Sequence, residues 1–298
     1  MILWWLFKRL RAYWQRRAGK APSPQPVAFR PTRARAQPRG RFGLVLHQAR
    51  YDLIAFLRNI QAVFFTLILP LLFLIIFVGV FGNHSITVSG VHVKASTYYV
   101  PGLSALGVIA ASFVNLVISI TAQREAGILK RRRATPVPAW VLIAGRTLTA
   151  LTVSLVVLTI LLAFGRVVYG VTLRTSALPG VAFTAVVGSI TFCVLGYALS
   201  TFIRNEDAAQ PMTQAIMLPL YFISGVFVVG KVIPSWLHHV AQVFPVEHLA
   251  DGLDNAYNPV AHGVGIVWSD IGVLALWAAI GLGVALFRFS WLPSAATA

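Results

Sequence analysis

Apolar residues in this chain gather into runs long enough to cross a bilayer, separated by short polar stretches. The runs begin near Gln61 and end near Phe287. A helix rises about 1.5 Å per residue and the hydrocarbon core is about 30 Å thick, so roughly 20 apolar residues span it. Gln61–Phe81 carries no charge, and neither does Tyr98–Gln123. Helices of a water-soluble domain need a polar face, which these runs lack. The pattern predicts six spans: Gln61–Phe81, Tyr98–Thr121, Val141–Phe164, Leu178–Phe202, Pro211–Val229 and Gly265–Phe287. Pro70 and Pro219 fall inside the first and fifth, where kinks are expected. Gly188, Ser189, Gly196, Gly281 and Gly283 are expected to let helices approach closely.

Ahead of the first span the period changes. Leu46, Ala49, Leu53, Phe56 and Ile60 fall on one helical face, with Gln48, Arg50, Asp52 and Asn59 elsewhere. This predicts an amphipathic helix over Phe42–Asn59, lying on the inner membrane surface. Arg50, Asp52, Phe56 and Arg58 are its candidate functional residues. Beyond the fifth span, Trp236, Leu237, Val240, Val243 and Phe244 recur at helical spacing within Lys231–Val264, the longest outer segment. That segment is expected to lie along the bilayer surface or dip into it.

Mean hydropathy of +0.76 and 57% hydrophobic residues fit a polytopic membrane protein. Only 11% of residues are charged, yet the formal net charge is +17. The imbalance invites a nucleic-acid reading, which its distribution opposes. Eleven basic residues lie between Lys8 and Arg41, before any acidic residue, and Lys130–Arg133 forms a second block. Both blocks flank spans, as cytoplasmic loops do, and suit anionic lipid headgroups. No nucleic-acid partner is expected. Lys and Arg are sparse in Asn83–Thr97 and Lys231–Val264, which places both termini inside.

Met1–Phe7 is apolar with no basic region before it, and reads as an interfacial anchor with Trp4, Trp5 and Trp14 rather than a secretory signal. Gly19–Arg41 is rich in Pro, Ala and Arg and reads as a disordered cytoplasmic tail. Residues 1–41 are thus set apart from a membrane domain over 42–298. The single cysteine, Cys193, cannot form an intramolecular disulfide and is expected to be a small buried hydrophobe.

The loop from Gln123 to Pro138 carries the strongest local signal. Arg124, Glu125 and Lys130 suggest a short helix ended by Pro136 and Pro138, either docking a soluble partner or simply fixing topology. Gly225–Lys231 copies most of a phosphate-binding loop, but Val232 stands where the magnesium-binding hydroxyl belongs. It is not read as a nucleotide site. His238, His239, Glu247, His248, Asp251 and Asp254 invite a metal hypothesis, yet Pro245 intervenes and no H-E-x-x-H pattern occurs. These groups are expected to cap and hydrogen-bond the outer mouth, with no metal or other cofactor on this chain. Within the spans the only ionisable groups noted are Arg146 and Asp270, each near an end and within reach of an interface. Proton- and sodium-coupled carriers use carboxylates at mid-depth, so a device driven from outside the membrane fits better.

Three stretches resemble the membrane subunit of ABC-2 type exporters, close to the daunorubicin-permease kind. They are Arg58-Asn59 leading to Pro70–Phe73; Gln123–Gly127 through Arg133–Pro136; and Leu218–Phe227 followed by Ile233–Trp236 and Phe244–Val246. The resemblance implies an all-α polytopic fold with six transmembrane helices, an interfacial helix and an outer helical hairpin before the last span. It implies ATPase coupling through Gln123, Arg124, Glu125, Gly127, Arg133 and Pro136, and a hairpin carrying Trp236, Pro245, Glu247 and Asp251. Two permeases, alike or different, would pair above two cytoplasmic ABC ATPase subunits that hold ATP and Mg. This chain would do no covalent chemistry. The competing readings are a lipid-linked transferase, with Asp251 and Asp254 as its one close carboxylate pair, and a self-powered carrier.

Overall fold

A computed structural model describes residues 40–83, 85–88, 91–133, 137–171, 174–227, 234–255 and 263–288. The anchor, most of the basic tail, Pro136 and residues 228–231 of the phosphate-loop lookalike lie outside the described residues.

Helix α1 (Arg41–Arg58) precedes α2 (Ile60–Phe81). Asn59 separates them in an extended conformation, and its side chain accepts the Ala62 N–H at 3.1 Å. It therefore ends one helix and caps the next, which lets the chain turn from surface to span. Strands β1 (Ser85–Val88) and β2 (Val91–Lys94) form an antiparallel hairpin with Ser85 opposite Lys94. No strand was expected there. Then follow α3 (Ala95–Glu125), α4 (Ile128–Arg133), α5 (Ala139–Tyr169), α6 (Leu178–Ser200), α7 (Glu206–Ile223), α8 (Ser235–Ala241), α9 (Pro245–Asp254) and α10 (Trp268–Arg288).

Five of these helices, α2, α3, α5, α6 and α10, are long and apolar enough to cross a membrane. Six spans were expected. The predicted fifth, Pro211–Val229, coincides with α7, which starts earlier, at Glu206, and ends at Ile223. Its first half is polar (Glu206, Asp207, Gln210, Gln214), so it falls short of the apolarity of the others.

Helix α3 is the hub. It packs against α2, α5, α6, α7 and α9, and 78% of its span is buried, against 17% for α10. Buried hydroxyls along the helices bond the carbonyl one turn back, as Ser104 does to Val100 and Ser112 to Val108. This satisfies polar groups where no water is available. Thr191, besides bonding the Val187 carbonyl one turn back at 3.0 Å, also reaches across to the Leu274 carbonyl at 3.2 Å, tying α6 to α10. Cys193 is buried. Gly188 and Gly281 meet neighbouring side chains closely, whereas Gly283 faces open space.

The predicted surface helix is present, but its buried face is rotated. Val45, Ala49 and Phe56 are buried, while Leu46 and Ile60 are exposed. Asp52, assigned to the polar side, is only 12% exposed and faces Arg146 across 3.9 Å. The reason is that α1 is apolar on more than one side. One side docks on α5, and Leu46, Tyr51 and Leu57 are left outward. Docking is close because Gly145 lacks a Cβ, which would stand 2.7 Å from Gln48. The Thr149 hydroxyl then donates to the Ala49 carbonyl at 3.1 Å.

Two π turns interrupt the spans, at Phe64–Ile68 in α2 and Ala110–Val114 in α3. The first lies just before Pro70, whose missing N–H leaves the Thr66 carbonyl without its regular partner.

Candidate functional site

The expected short helix after Gln123 is divided. Gln123, Arg124 and Glu125 form the last turn of α3, and α4 begins only at Ile128. Gly127 makes the break at φ +67°, a left-handed conformation costly for any residue with a Cβ.

Arg124 and Glu125 do not point away from the protein together. Arg124 is 4% exposed. Its guanidinium donates to the Ser200 carbonyl at 2.9 Å and to the Ile203 carbonyl. Ser200 ends α6, so these acceptors lie at the negative end of a helix dipole. Glu125 accepts the backbone N–H of Glu206 at 2.5 Å. Glu206 begins α7, so this carboxylate caps the positive end of the next helix. Two consecutive side chains at the foot of α3 thus clamp both ends of the α6–α7 link.

Leu129 on α4 is buried, and Lys130 and Arg131 are exposed. The Arg133 side chain and Pro136 lie outside the described residues. On α1, Arg50 and Arg58 are exposed and Phe56 is buried. The structure therefore gathers Gln123, Asp52 and Phe56 around one crevice, while Arg124 and Glu125 turn towards the α6–α7 link.

Above the clamp, α2, α3 and α7 enclose a cleft of about 440 Å³. Helix α7 lines it with Glu206, Gln210, Gln214, Leu218 and Tyr221, a single face at steps of three or four. Phe65 and Thr66 from one π turn, and Ala110 and Val114 from the other, line the opposite walls. Sequence reasoning missed this site. The polar stripe at Glu206, Gln210 and Gln214, leading at helical spacing into the expected fifth span, was the available signal.

At the far end, two short helices, α8 and α9, stand where an outer helical hairpin was expected. Trp236 is exposed, and Pro245 opens α9. Glu247 is buried and meets His238 Nδ1 at 2.9 Å, tying α9 to α8. His248 lies between the Asp270 carboxylate at 2.9 Å and the Gln242 carbonyl at 2.8 Å, tying α9 to α10. Asp270, in the first turn of α10, thus turns inward. Burial pushes the Glu247 carboxyl up to about 7, with the Asp251 charge adding to it. Burial, then Asp251, pushes Asp254 up to about 7 as well. Asp251 itself is exposed. Among the described residues, no three His, Cys, Asp or Glu side chains converge as a metal site.

An amphipathic helix leading into five helices long and apolar enough to cross a bilayer defines a multi-pass α-helical membrane protein. Residues 45–257 match the ABC-2 type transporter family, and the chain belongs to it. The family resemblance drawn from the three motifs therefore holds. The chain is similar to the probable multidrug ABC transporter permease YbhR of Escherichia coli K12, at 26% identity over 193 residues, which is 64% of this chain and 52% of that protein. It is also similar to the daunorubicin resistance ABC transporter permease protein DrrB1 of Streptomyces coeruleorubidus, at 26% identity over 229 residues, 74% of each. The match spans about half the length of the E. coli relative.

Proposed function

We propose that this chain is the membrane-spanning permease subunit of an ATP-driven exporter of hydrophobic or amphipathic compounds. Family membership supports the class, and the names of the two relatives support the cargo. In this reading the chain sits in a bacterial cytoplasmic membrane with both termini inside. Two ATPase subunits, holding ATP and Mg, bind below a pair of permeases. Orientation is supported by Lys130, Arg131, Arg132, Arg146 and Arg204 standing at the clamp end, against Lys94, Arg166 and Arg174 at the other.

The observation that carries the mechanism is the clamp. A force on α4 and Gly127 reaches Arg124, which holds the end of α6, and Glu125, which holds the start of α7, and α7 walls the cleft. Movement of the loop would then reshape the cleft directly. Helix α1, docked on α5, would provide a second point of contact.

The test uses membrane vesicles containing the chain with its ATPase. ATP-dependent efflux of an amphipathic dye should fall several-fold in Glu125→Ala while the amount of inserted protein stays constant. Full-rate efflux from vesicles lacking any ATPase would overturn the reading.

A further inference from the structure

The two histidines that bond within the outer helix pair meet different demands from their partners. His238 Nδ1 stands 2.9 Å from Glu247 Oε1, and its Nε2 stands 3.1 Å from the Gln242 side-chain amide nitrogen. An acceptor on one side and a donor on the other suit a neutral ring. His248 has acceptors on both sides. Its Nδ1 stands 2.9 Å from Asp270 Oδ1, and its Nε2 stands 2.8 Å from the Gln242 carbonyl. A neutral imidazole carries one N–H and can donate to only one of them. Against a carboxylate and a carbonyl, both bonds close only when the ring is the imidazolium.

Gln242, Val243 and Phe244 form the corner between α8 and α9, and Asp270 lies in the first turn of α10. One side chain therefore joins α9, the corner and α10. Trp277 adds to the joint: its indole N–H donates to the Val243 carbonyl at 2.8 Å, and its ring stacks on Phe244. The His248 and Asp270 side chains are mostly buried, so water is a poor substitute for a lost bond. A ring that gives up its proton must release one of its two acceptors.

We propose that His248 is a proton-operated latch: charged, it pins the α8–α9 corner to α10, and neutral, it lets the corner come away. Around the ring, α9 itself brings Glu247, Asp251 and Asp254, α8 brings His238 and the exposed His239, and α10 brings Asp270. Helix α3 brings Tyr98, which the three α9 carboxylates face. Helix α6 meets α9 at Thr184 and Gly188, away from its titratable Cys193 and Tyr197. Burial opposes the imidazolium, but the bonds to Asp270 and the Gln242 carbonyl, with the Asp270 and Asp251 charges, outweigh it and raise the ring above its usual value. Glu247 and Asp254, both raised to about 7, act in the same direction, so substitutions at the bridge shift the response rather than erase it. Holding this proton needs no ATPase; the topology proposed above enters only in saying that the outer medium supplies it.

The test reads thiol access to Val246, a buried residue in the first turn of α9. The full chain carrying Val246→Cys is held in nanodiscs, and a charged methanethiosulfonate gives its labelling rate. Dividing by the rate for Ser235→Cys, at an exposed position on α8, removes the pH dependence of the thiol itself. Cys193 is buried, and the chain with no added cysteine supplies the background. The ratio should rise roughly tenfold between about pH 5.5 and about pH 8.5, which bracket the histidine range. His248→Ala should raise the ratio severalfold in acid. Asp270→Asn should do the opposite in alkali. An amide N–H can donate to Nδ1 of a neutral ring whose Nε2–H still holds the Gln242 carbonyl, so the ratio stays low. Protection gained in this way cannot come from misfolding. A ratio that is flat or falls as pH rises would overturn the proposal. So would His248→Ala labelled at the parent's rate in acid, or Asp270→Asn labelled at the parent's rate in alkali. Nanodiscs expose both faces to one pH, so neither the topology nor the exporter reading stands or falls with this result.

Discussion

Glu125 accepts the backbone N–H of Glu206, 81 positions away in sequence, and the residue beside it, Arg124, holds the Ser200 and Ile203 carbonyls. One turn of α3 therefore closes both ends of the α6–α7 link. The two side chains differ in burial, so their removal should differ in cost.

Glu125→Ala removes a cap from an exposed helix start and should cost about 1 kcal/mol. Arg124→Ala leaves two buried carbonyls without donors and should cost about 2–4 kcal/mol. Arg124→Lys should recover only part, since one ammonium cannot reproduce the planar fork. Thermal unfolding of the purified protein in detergent gives the order. Equal losses for the two alanine variants would contradict the assignment of Arg124 as the buried member.

Gly127→Ala isolates backbone conformation. A Cβ at Gly127 would meet nothing within 4 Å, so only the φ of +67° opposes it. The expected cost is about 1 kcal/mol, and Gly127→Asn should cost less because Asn tolerates this region. Because the residue joins α3 to α4, coupling of ATP hydrolysis to efflux should fall more than stability does. The ratio of dye moved to ATP consumed measures this.

Gly145→Val should lift α1 from α5. Even a bare Cβ would stand 2.7 and 2.8 Å from Gln48 and 3.3 Å from the Val45 carbonyl. Protease cleavage within Arg41–Arg58 should accelerate severalfold, while Gly283→Val, at a position with open space, should leave it unchanged. Similar cleavage in both variants would argue against close α1–α5 docking.

The outer hairpin should loosen as pH rises. Glu247 moves from 4.5 to about 7 in the folded chain, and Asp254 from 3.8 to about 7. Folded protein therefore holds more protons than unfolded protein between those limits. This contribution is complete below pH 4 or so and is lost as pH climbs through about 7. His248 is also raised: burial opposes its charge, but hydrogen bonds to Asp270 and the Gln242 carbonyl outweigh that. Its pair with Asp270 likewise weakens as the imidazole loses its proton. Asp251, likewise raised to about 6, shares the sign. Amide exchange in Pro245–Asp254 should be roughly tenfold faster at about pH 8.5 than at about pH 5.5 after correction for intrinsic rates. Glu247→Gln should flatten the difference. Slower exchange at the higher pH would refute the sign.

The spans at α2, α3, α5, α6 and α10 were readable along the chain because crossing a bilayer is a one-dimensional demand: enough apolar residues in succession, whatever their neighbours. The turn at Asn59 and the break at Gly127 also rest on local backbone chemistry. Which side of α1 is buried was not readable in this way, because the helix has apolar residues facing both α5 and the outside. Helix α7 was placed as a span over Pro211–Val229, while its polar first half passed unnoticed because it serves the cleft rather than lipid. The partners of Arg124, Glu125, His238 and His248 lie on other helices. Their choice depends on how α3 settles against α6 and α7, and α9 against α8 and α10, which no pattern along a single helix encodes. Hydrophobic length thus determined what enters the membrane, and packing in three dimensions decided which polar groups meet once there.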